Sequence, residues 1–147
     1  MTVAERWKGY KELPEDVINR LEGIKVFWGK NSDIFLVYLF GSLVERKYAN
    51  DVDLAILFNT KPSYERITEL FGKLYKLLGT QKIDIVDLNR AGPCFKFNTI
   101  RSGKLLYMKD INTLNSFEGK VIKEHMDTEY LRKVQRWFLK EKALKSD

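Results

Sequence analysis

The residues best able to do chemistry in this chain are Asp51 and Asp53, which flank a single valine and lead into the apolar run Leu54-Ala55-Ile56-Leu57-Phe58. In an extended strand alternate side chains share a face, so the two carboxylates point the same way. Like charges held together repel by about 1 kcal/mol at 4 Å in water, and by several times more where solvent is scarce. A hard divalent cation such as Mg²⁺ resolves that repulsion with oxygen ligands. Upstream, the run Ile34-Phe35-Leu36-Val37-Tyr38-Leu39-Phe40 ends in Gly41-Ser42. Glycine lets the backbone come close to a ligand, and a turn can offer N–H groups and a hydroxyl to phosphate oxygens. A metal site beside a phosphate cradle points to nucleotide chemistry.

A third acid belongs with these two. Asp84 interrupts the strand-like run Ile83 to Val86, where packing would favour an apolar residue. If the strands carrying Asp53 and Asp84 are neighbours, three carboxylates meet, enough to hold two Mg²⁺ ions and orient an attacking hydroxyl. Asp87, three residues further on, falls on the opposite face and is expected to cap the next turn.

These residues need a scaffold, and the chain supplies one. Its 147 residues, 44% hydrophobic, suffice for one domain with a core. The expected order begins with a helix over 13–28, with Val17, Leu21, Ile24 and Phe27–Trp28 on its apolar side. Strands follow at 34–40 and 51–58. Pro62 opens a second helix, with Ile67, Leu70, Phe71, Leu74 and Leu77–Leu78 on one side and Gly79 as its stop. A third strand covers 82–88, and Pro93 begins a short helix carrying Phe95, Phe97 and Ile100. Gly103 closes that helix before a short strand at 105–107. The stretch 112–143 reads as helix, with Tyr130, Val134, Trp137 and Phe138 as its packing face. This pattern predicts an α/β (α+β) domain spanning 1–147: a small mixed sheet with helices packed on it, a core over 14–108, and a C-terminal helical segment.

Composition excludes several classes. No apolar run approaches the ~20 residues of a membrane span. The first residues lack the apolar centre of a signal peptide, and the single cysteine, Cys94, suits a reducing compartment, so a cytoplasmic location is expected. One Cys and one His (His125) do not make an ordinary zinc site. There is no Walker-type loop and no Gly-x-Ser-x-Gly elbow. The net charge of +6 favours an anionic partner, and Lys133, Arg136, Lys140, Lys142 and Lys145 concentrate part of it near the end of the chain.

Leu39-Phe40-Gly41-Ser42 followed by Asp51-Val52-Asp53-Leu54-Ala55 resembles the signature of the DNA polymerase β-type nucleotidyltransferase superfamily. Three further stretches, Val86-Asp87-Leu88-Asn89-Arg90-Ala91, Ser102-Gly103-Lys104-Leu105-Leu106-Tyr107 and Met126-Asp127-Thr128-Glu129-Tyr130-Leu131, are similar to the minimal nucleotidyltransferase (MNT) antitoxins, partners of HEPN-domain ribonuclease toxins. The resemblance implies a nucleotidyltransferase fold. It implies that Gly41 and Ser42 cradle the phosphates of ATP, and that Asp51, Asp53 and Asp84 are the catalytic, metal-binding carboxylates. It also implies transfer of AMP to a tyrosine of the toxin, releasing diphosphate. In two respects the chain departs from the family: the segment from Ser42 to Asp51 is shorter than is common, and the arginine and glycine frequent shortly after the serine are not in place, Glu45 standing near the arginine's position with Arg46 beside it. Two other readings remain open, a non-catalytic module that neutralises its partner by binding and a nucleotidyltransferase acting on RNA or a small molecule. Exposed aromatics such as Trp7 and Trp137 would suit a homo-oligomer or a partner complex.

Overall fold

The computed structural model describes residues 17–41 and 51–145. The expected helix start at 13–16, Trp7, Ser42, Glu45 and Arg46 lie outside these residues. Two short helices open the described chain, α1 (Val17–Gly23) and α2 (Lys25–Lys30). They stand where one helix was expected: the apolar stripe runs on through both, but the helix breaks at Ile24. Strands β1 (Ile34–Phe40) and β2 (Val52–Phe58) follow, then α3 (Tyr64–Leu78), β3 (Ile83–Asp87), α4 (Pro93–Ser102), β4 (Lys104–Met108) and the long α5 (Ile111–Lys145).

The sheet order is β3-β2-β1-β4. β1 lies antiparallel to both β2 and β4, while β2 and β3 run parallel. The parallel pair follows from its connection: α3 carries the chain back across the sheet before β3 begins, as a parallel crossover requires. Ser63 rather than Pro62 begins that helix, its hydroxyl accepting from Arg66 N–H at 3.1 Å. Gly79 ends it in the left-handed region at φ 71°, with its N–H donating to Tyr75 O.

Strand alternation divides the interior in two. On one face Val37, Leu39, Val52, Leu54 and Ile56 pack with Val17, Leu21 and Trp28 of α1–α2 and with Leu70, Leu74 and Leu78 of α3. Leu77, expected in that stripe, stays largely outside. On the other face Leu36, Tyr38 and Ala55 pack with Phe95 and Ile100 of α4 and with Leu114 and Phe117 of α5. The buried Tyr38 donates its hydroxyl to Glu118 Oε1 at 2.8 Å, fastening α5 to the sheet. Burial and the neighbouring carboxylate hold the Tyr38 hydroxyl protonated, with its pKa pushed well up.

The expected packing face of the last helix is overturned. Leu114, Phe117 and Val121 turn towards the sheet. Tyr130, Trp137 and Phe138 are 67%, 58% and 62% exposed. Periodicity detects an apolar stripe but not which stripe meets the core, and α5 carries two.

The entrance to β1 is held by a charged clamp. Arg66 Nε donates to Asp33 Oδ2 at 2.7 Å, and its Nη2 donates to Asp33 Oδ1 and Asn31 Oδ1, both at 2.8 Å. The guanidinium bonds hold the Asp33 carboxyl below its ordinary range despite partial burial. A depressed carboxylate stabilises the fold above its unfolded pKa, and that contribution is lost as pH falls through the folded value. Arg66→Ala is therefore expected to cost about 1–2 kcal/mol at neutral pH, allowing for the partial exposure of the pair. Urea denaturation at pH 7 and again in acid checks this: the gap between variant and wild type narrows as Asp33 is protonated in both.

Candidate active site

The site forms at one end of the sheet. Phe40 is the last residue of β1 and Asp53 the second of β2, and the antiparallel register sets them opposite each other. The parallel register then pairs Asp53 with Asp84 on β3. Facing partners on adjacent strands point to the same side, so both carboxylates rise from the α4–α5 side of the sheet. Asp51 stands at the bend just before β2 and is exposed, as is Asp84, while Asp53 is half-buried. Val52 N–H donates to Lys82 O at 2.8 Å, tying the start of β2 to the approach of β3.

Electrostatics link the three acids. Burial first, then the charges of Asp84 and Asp51, push the Asp53 carboxyl above its ordinary range. Among the described residues no cationic side chain pairs with Asp53, Asp84 or Asp51. These are the residues that could hold a cation, and their donor set is the all-oxygen one that Mg²⁺ takes. The carboxylates do not form a ready-made cage: among the described residues no three His, Cys, Asp or Glu side chains converge closely enough to hold a metal ion. Mutual repulsion is the physical reason for an open arrangement when nothing positive lies between such groups.

Gly41 follows β1 directly and takes φ 80°, the left-handed region. A Cβ there would run into the Asp53 carboxylate, with Oδ2 the nearest atom. The glycine is thus required twice, for its backbone and for the space the acid occupies. Its neighbour Ser42, paired with it in the sequence reading, lies outside the described residues. Gly41, Asp51, Asp53 and Asp84 are the expected residues brought to one end of the sheet. Asp87 caps the turn after β3 as expected, its Oδ1 accepting from Asn89 N–H at 2.8 Å and its Oδ2 from Arg90 Nη1 at 2.6 Å.

Sequence reasoning missed the apolar wall beside these acids. Phe40, opposite Asp53, meets Phe95 of α4 edge-on with ring centroids 5.2 Å apart. Strand alternation could have found Phe40, since it shares a face with Tyr38. Nothing local to the sequence signals that Phe95 meets it. A hollow of about 190 Å³, lined by Leu57, Asn89, Lys96, Lys120 and Glu124 among others, opens on the same sheet face. It lies at the opposite end of β2 from Asp53 and takes no part in this site. His125 stacks flat on Phe97 at 3.8 Å, which accounts for it as a packed residue.

The model of the family described as Polymerase beta, Nucleotidyltransferase matches residues 22–112, well over half of the chain and all of the sheet. The chain belongs to the polymerase beta nucleotidyltransferase family. Solved structures agree on the fold. A complex of tri-AMPylated Shewanella oneidensis HEPN toxin with MNT antitoxin aligns at TM-score 0.61 and 24% identity, over 83% of this chain and 96% of that one. A toxin–antitoxin with AMP-PNP gives TM-score 0.61 and 24% identity, over 86% and 98%. The toxin–antitoxin MntA–HepT gives TM-score 0.59 and 24% identity, over 83% and 97%. Comparison with curated proteins finds no match. Among the described residues no helix is long and apolar enough to cross a membrane.

A carboxylate kept for ligand binding differs from one kept for stability, and Asp53 can be tested on that point. Its folded pKa is raised, so the fold is favoured at low pH and loses stability as pH rises from the ordinary carboxylate value through the raised one. Asp53→Asn removes the charge at constant shape. In metal-free buffer at pH 7.5 the variant is expected to melt a few degrees above the wild type, and the gain disappears near pH 4. Thermal denaturation with chelator checks this; a variant less stable at pH 7.5 would show that the carboxylate holds the fold together.

Proposed function

We propose that this chain is a Mg²⁺-dependent protein adenylyltransferase of the MNT antitoxin type, transferring AMP from ATP to a tyrosine of a HEPN ribonuclease. The observation that carries the reading is the pairing of Asp53 with Asp84 across adjacent strands, with Asp51 near and Gly41 against Asp53. Four family features thereby fall at one end of one sheet. The reading of acceptor and nucleotide is supported by two of the similar structures, a tri-AMPylated HEPN toxin in complex with MNT antitoxin and a toxin–antitoxin with AMP-PNP.

In this reading Asp51, Asp53 and Asp84 hold Mg²⁺. When bound, the cation neutralises the triphosphate and stabilises charge on the attacking and leaving oxygens. The chain's own residues do the rest. Gly41, free of a side chain and turned into the left-handed region, lets backbone N–H groups approach the phosphates; Ser42 is placed beside it in sequence to donate its hydroxyl. Asp84, the more exposed of the facing pair, is positioned to accept the proton from an incoming tyrosine hydroxyl. Phe40 and Phe95 supply an apolar wall that limits water near the reacting groups and strengthens the local field. The tyrosine oxygen attacks the α-phosphorus, and diphosphate leaves on the opposite side.

A non-catalytic binding module is the second reading, and the open arrangement of the three acids favours it. Both are tested by mixing the protein with α-labelled ATP, Mg²⁺ and a HEPN ribonuclease from the same organism. Label is expected on the ribonuclease, with diphosphate released in equal amount. Asp51→Asn, Asp53→Asn and Asp84→Asn are each expected to lower the rate by about 10³-fold or more, the scale of removing a principal electrostatic group. Full labelling by these variants would remove them from the metal site. Tight binding to the ribonuclease with no uptake of Mg²⁺–ATP in calorimetry would establish the binding module instead.

A further inference from the structure

The long helix α5 has two apolar stripes, and the sheet uses only one. At ~100° per residue, Ile122, Met126, Tyr130, Trp137 and Leu144 fall within an arc of ~80°, on the side opposite Phe117 and Val121. All five are exposed. Among the described residues, no side chain from Ile122 to Leu144 is buried. A helical arm that buries nothing gains little beyond local propensity. A lone exposed aromatic needs no explanation, but a stripe ~33 Å long does.

The charges beside the stripe change sign along it. Residues 122–131 carry Glu124, Asp127 and Glu129 against Lys123. Residues 132–142 carry Arg132, Lys133, Arg136, Lys140 and Lys142 against Glu141. A partner of one sign, such as RNA or a uniformly acidic protein face, would be attracted by one half and repelled by the other. A second copy laid antiparallel sets each acidic half beside a basic half. A parallel copy would set like beside like.

We infer that the outer face of α5, from Ile122 to Leu144, is the interface with a second copy of this chain, packed antiparallel about a two-fold axis near Val134. The inference stands apart from the adenylyltransferase reading, since it concerns self-association alone. Such an interface must be self-complementary. With the axis at Val134, Tyr130 of one copy stands level with Trp137 of the other to within a residue. Glu129 stands level with Lys140 in the same way, Asp127 with Lys142, and Glu124 with Lys145. Two-fold symmetry also brings each flank of the stripe against the same flank of the other copy. The helical step meets that condition: Glu129 and Lys140 lie to one side of the stripe, and Asp127 and Lys142 to the other. One cost falls near the axis, where Lys133 and Arg136 of the two copies approach; their long stems let the charged ends reach water. The sheet holds α5 by its inner face, through Phe117 and through the bond of Glu118 to Tyr38, and leaves the outer face to the second copy.

Sedimentation of the full-length protein over a dilution series tests this. A dimer is expected, dissociating on dilution and more readily as salt rises. Met126→Ala/Tyr130→Ala/Trp137→Ala is expected to weaken self-association about tenfold or more. These side chains are exposed, so the monomer keeps its fold. Asp127→Lys/Glu129→Lys and Lys140→Glu/Lys142→Glu are each expected to weaken the dimer. Joined in one chain they restore it, because acid again meets base across the axis. A parallel pair would show no such rescue. A protein that stays monomeric throughout the series overturns the inference, as does a dimer that the triple variant leaves intact. Charge reversals that weaken the dimer and are not rescued when joined overturn the antiparallel arrangement. A monomer whose binding to a HEPN ribonuclease is lost in the triple variant gives the face to that protein and overturns the dimer.

Discussion

Two acids face each other across a parallel pair of strands, and the rest of the site is arranged around that repulsion. Asp53 and Asp84 are register partners on β2 and β3, and Asp53 is only partly exposed to water. Such a pair is costly unless something positive joins it. Among the described residues nothing does. Stability alone would not select this arrangement, since an asparagine at either position would remove the repulsion. A carboxylate kept against its electrostatic interest is a sign of ligand chemistry.

The fold makes the pairing unavoidable. β1 and β2 are antiparallel neighbours, and α3 returns the chain so that β3 enters parallel to β2. Its apolar side, with Leu70, Leu74 and Leu78, is buried against the inner face of the sheet, and the Arg66–Asp33 clamp fixes its first turn to the approach of β1. A one-residue slip of β3 would turn Asp84 into the core and Ile83 or Ile85 towards the acids. The apolar inner face therefore sets the polar geometry of the outer one. α4 and α5 cover most of that outer face and leave the end with the carboxylates accessible.

Much of this was legible in the sequence, for local reasons. β1 and β2 are long apolar runs, α3 has a single clear stripe, and Gly79 and Pro93 punctuate the chain where expected. Asp53 and Asp84 stood out because they interrupt strands. What remained illegible was set by distance along the chain. The register that faces Asp53 with Asp84, the contact of Phe40 with Phe95, and the bond from Tyr38 to Glu118 all join segments far apart in sequence. The break at Ile24 was hidden because the apolar stripe of α1 continues into α2. The packing face of α5 was misassigned because two stripes of similar strength compete, and only the sheet decides between them. The stripe left out of the core, Tyr130, Trp137 and Phe138, stands exposed on the far half of the helix.

Paramagnetic line broadening tests the convergence of the acids most directly. With Mn²⁺ added in substoichiometric amounts to isotopically labelled protein, the amide signals of residues 51–54 on one strand and 83–85 on the other should broaden together. The effect should be competed away by Mg²⁺ and should be absent in Asp53→Asn. Broadening that spares either strand, or that spreads evenly over the acidic surface, would contradict a shared cation site and with it the enzymatic account.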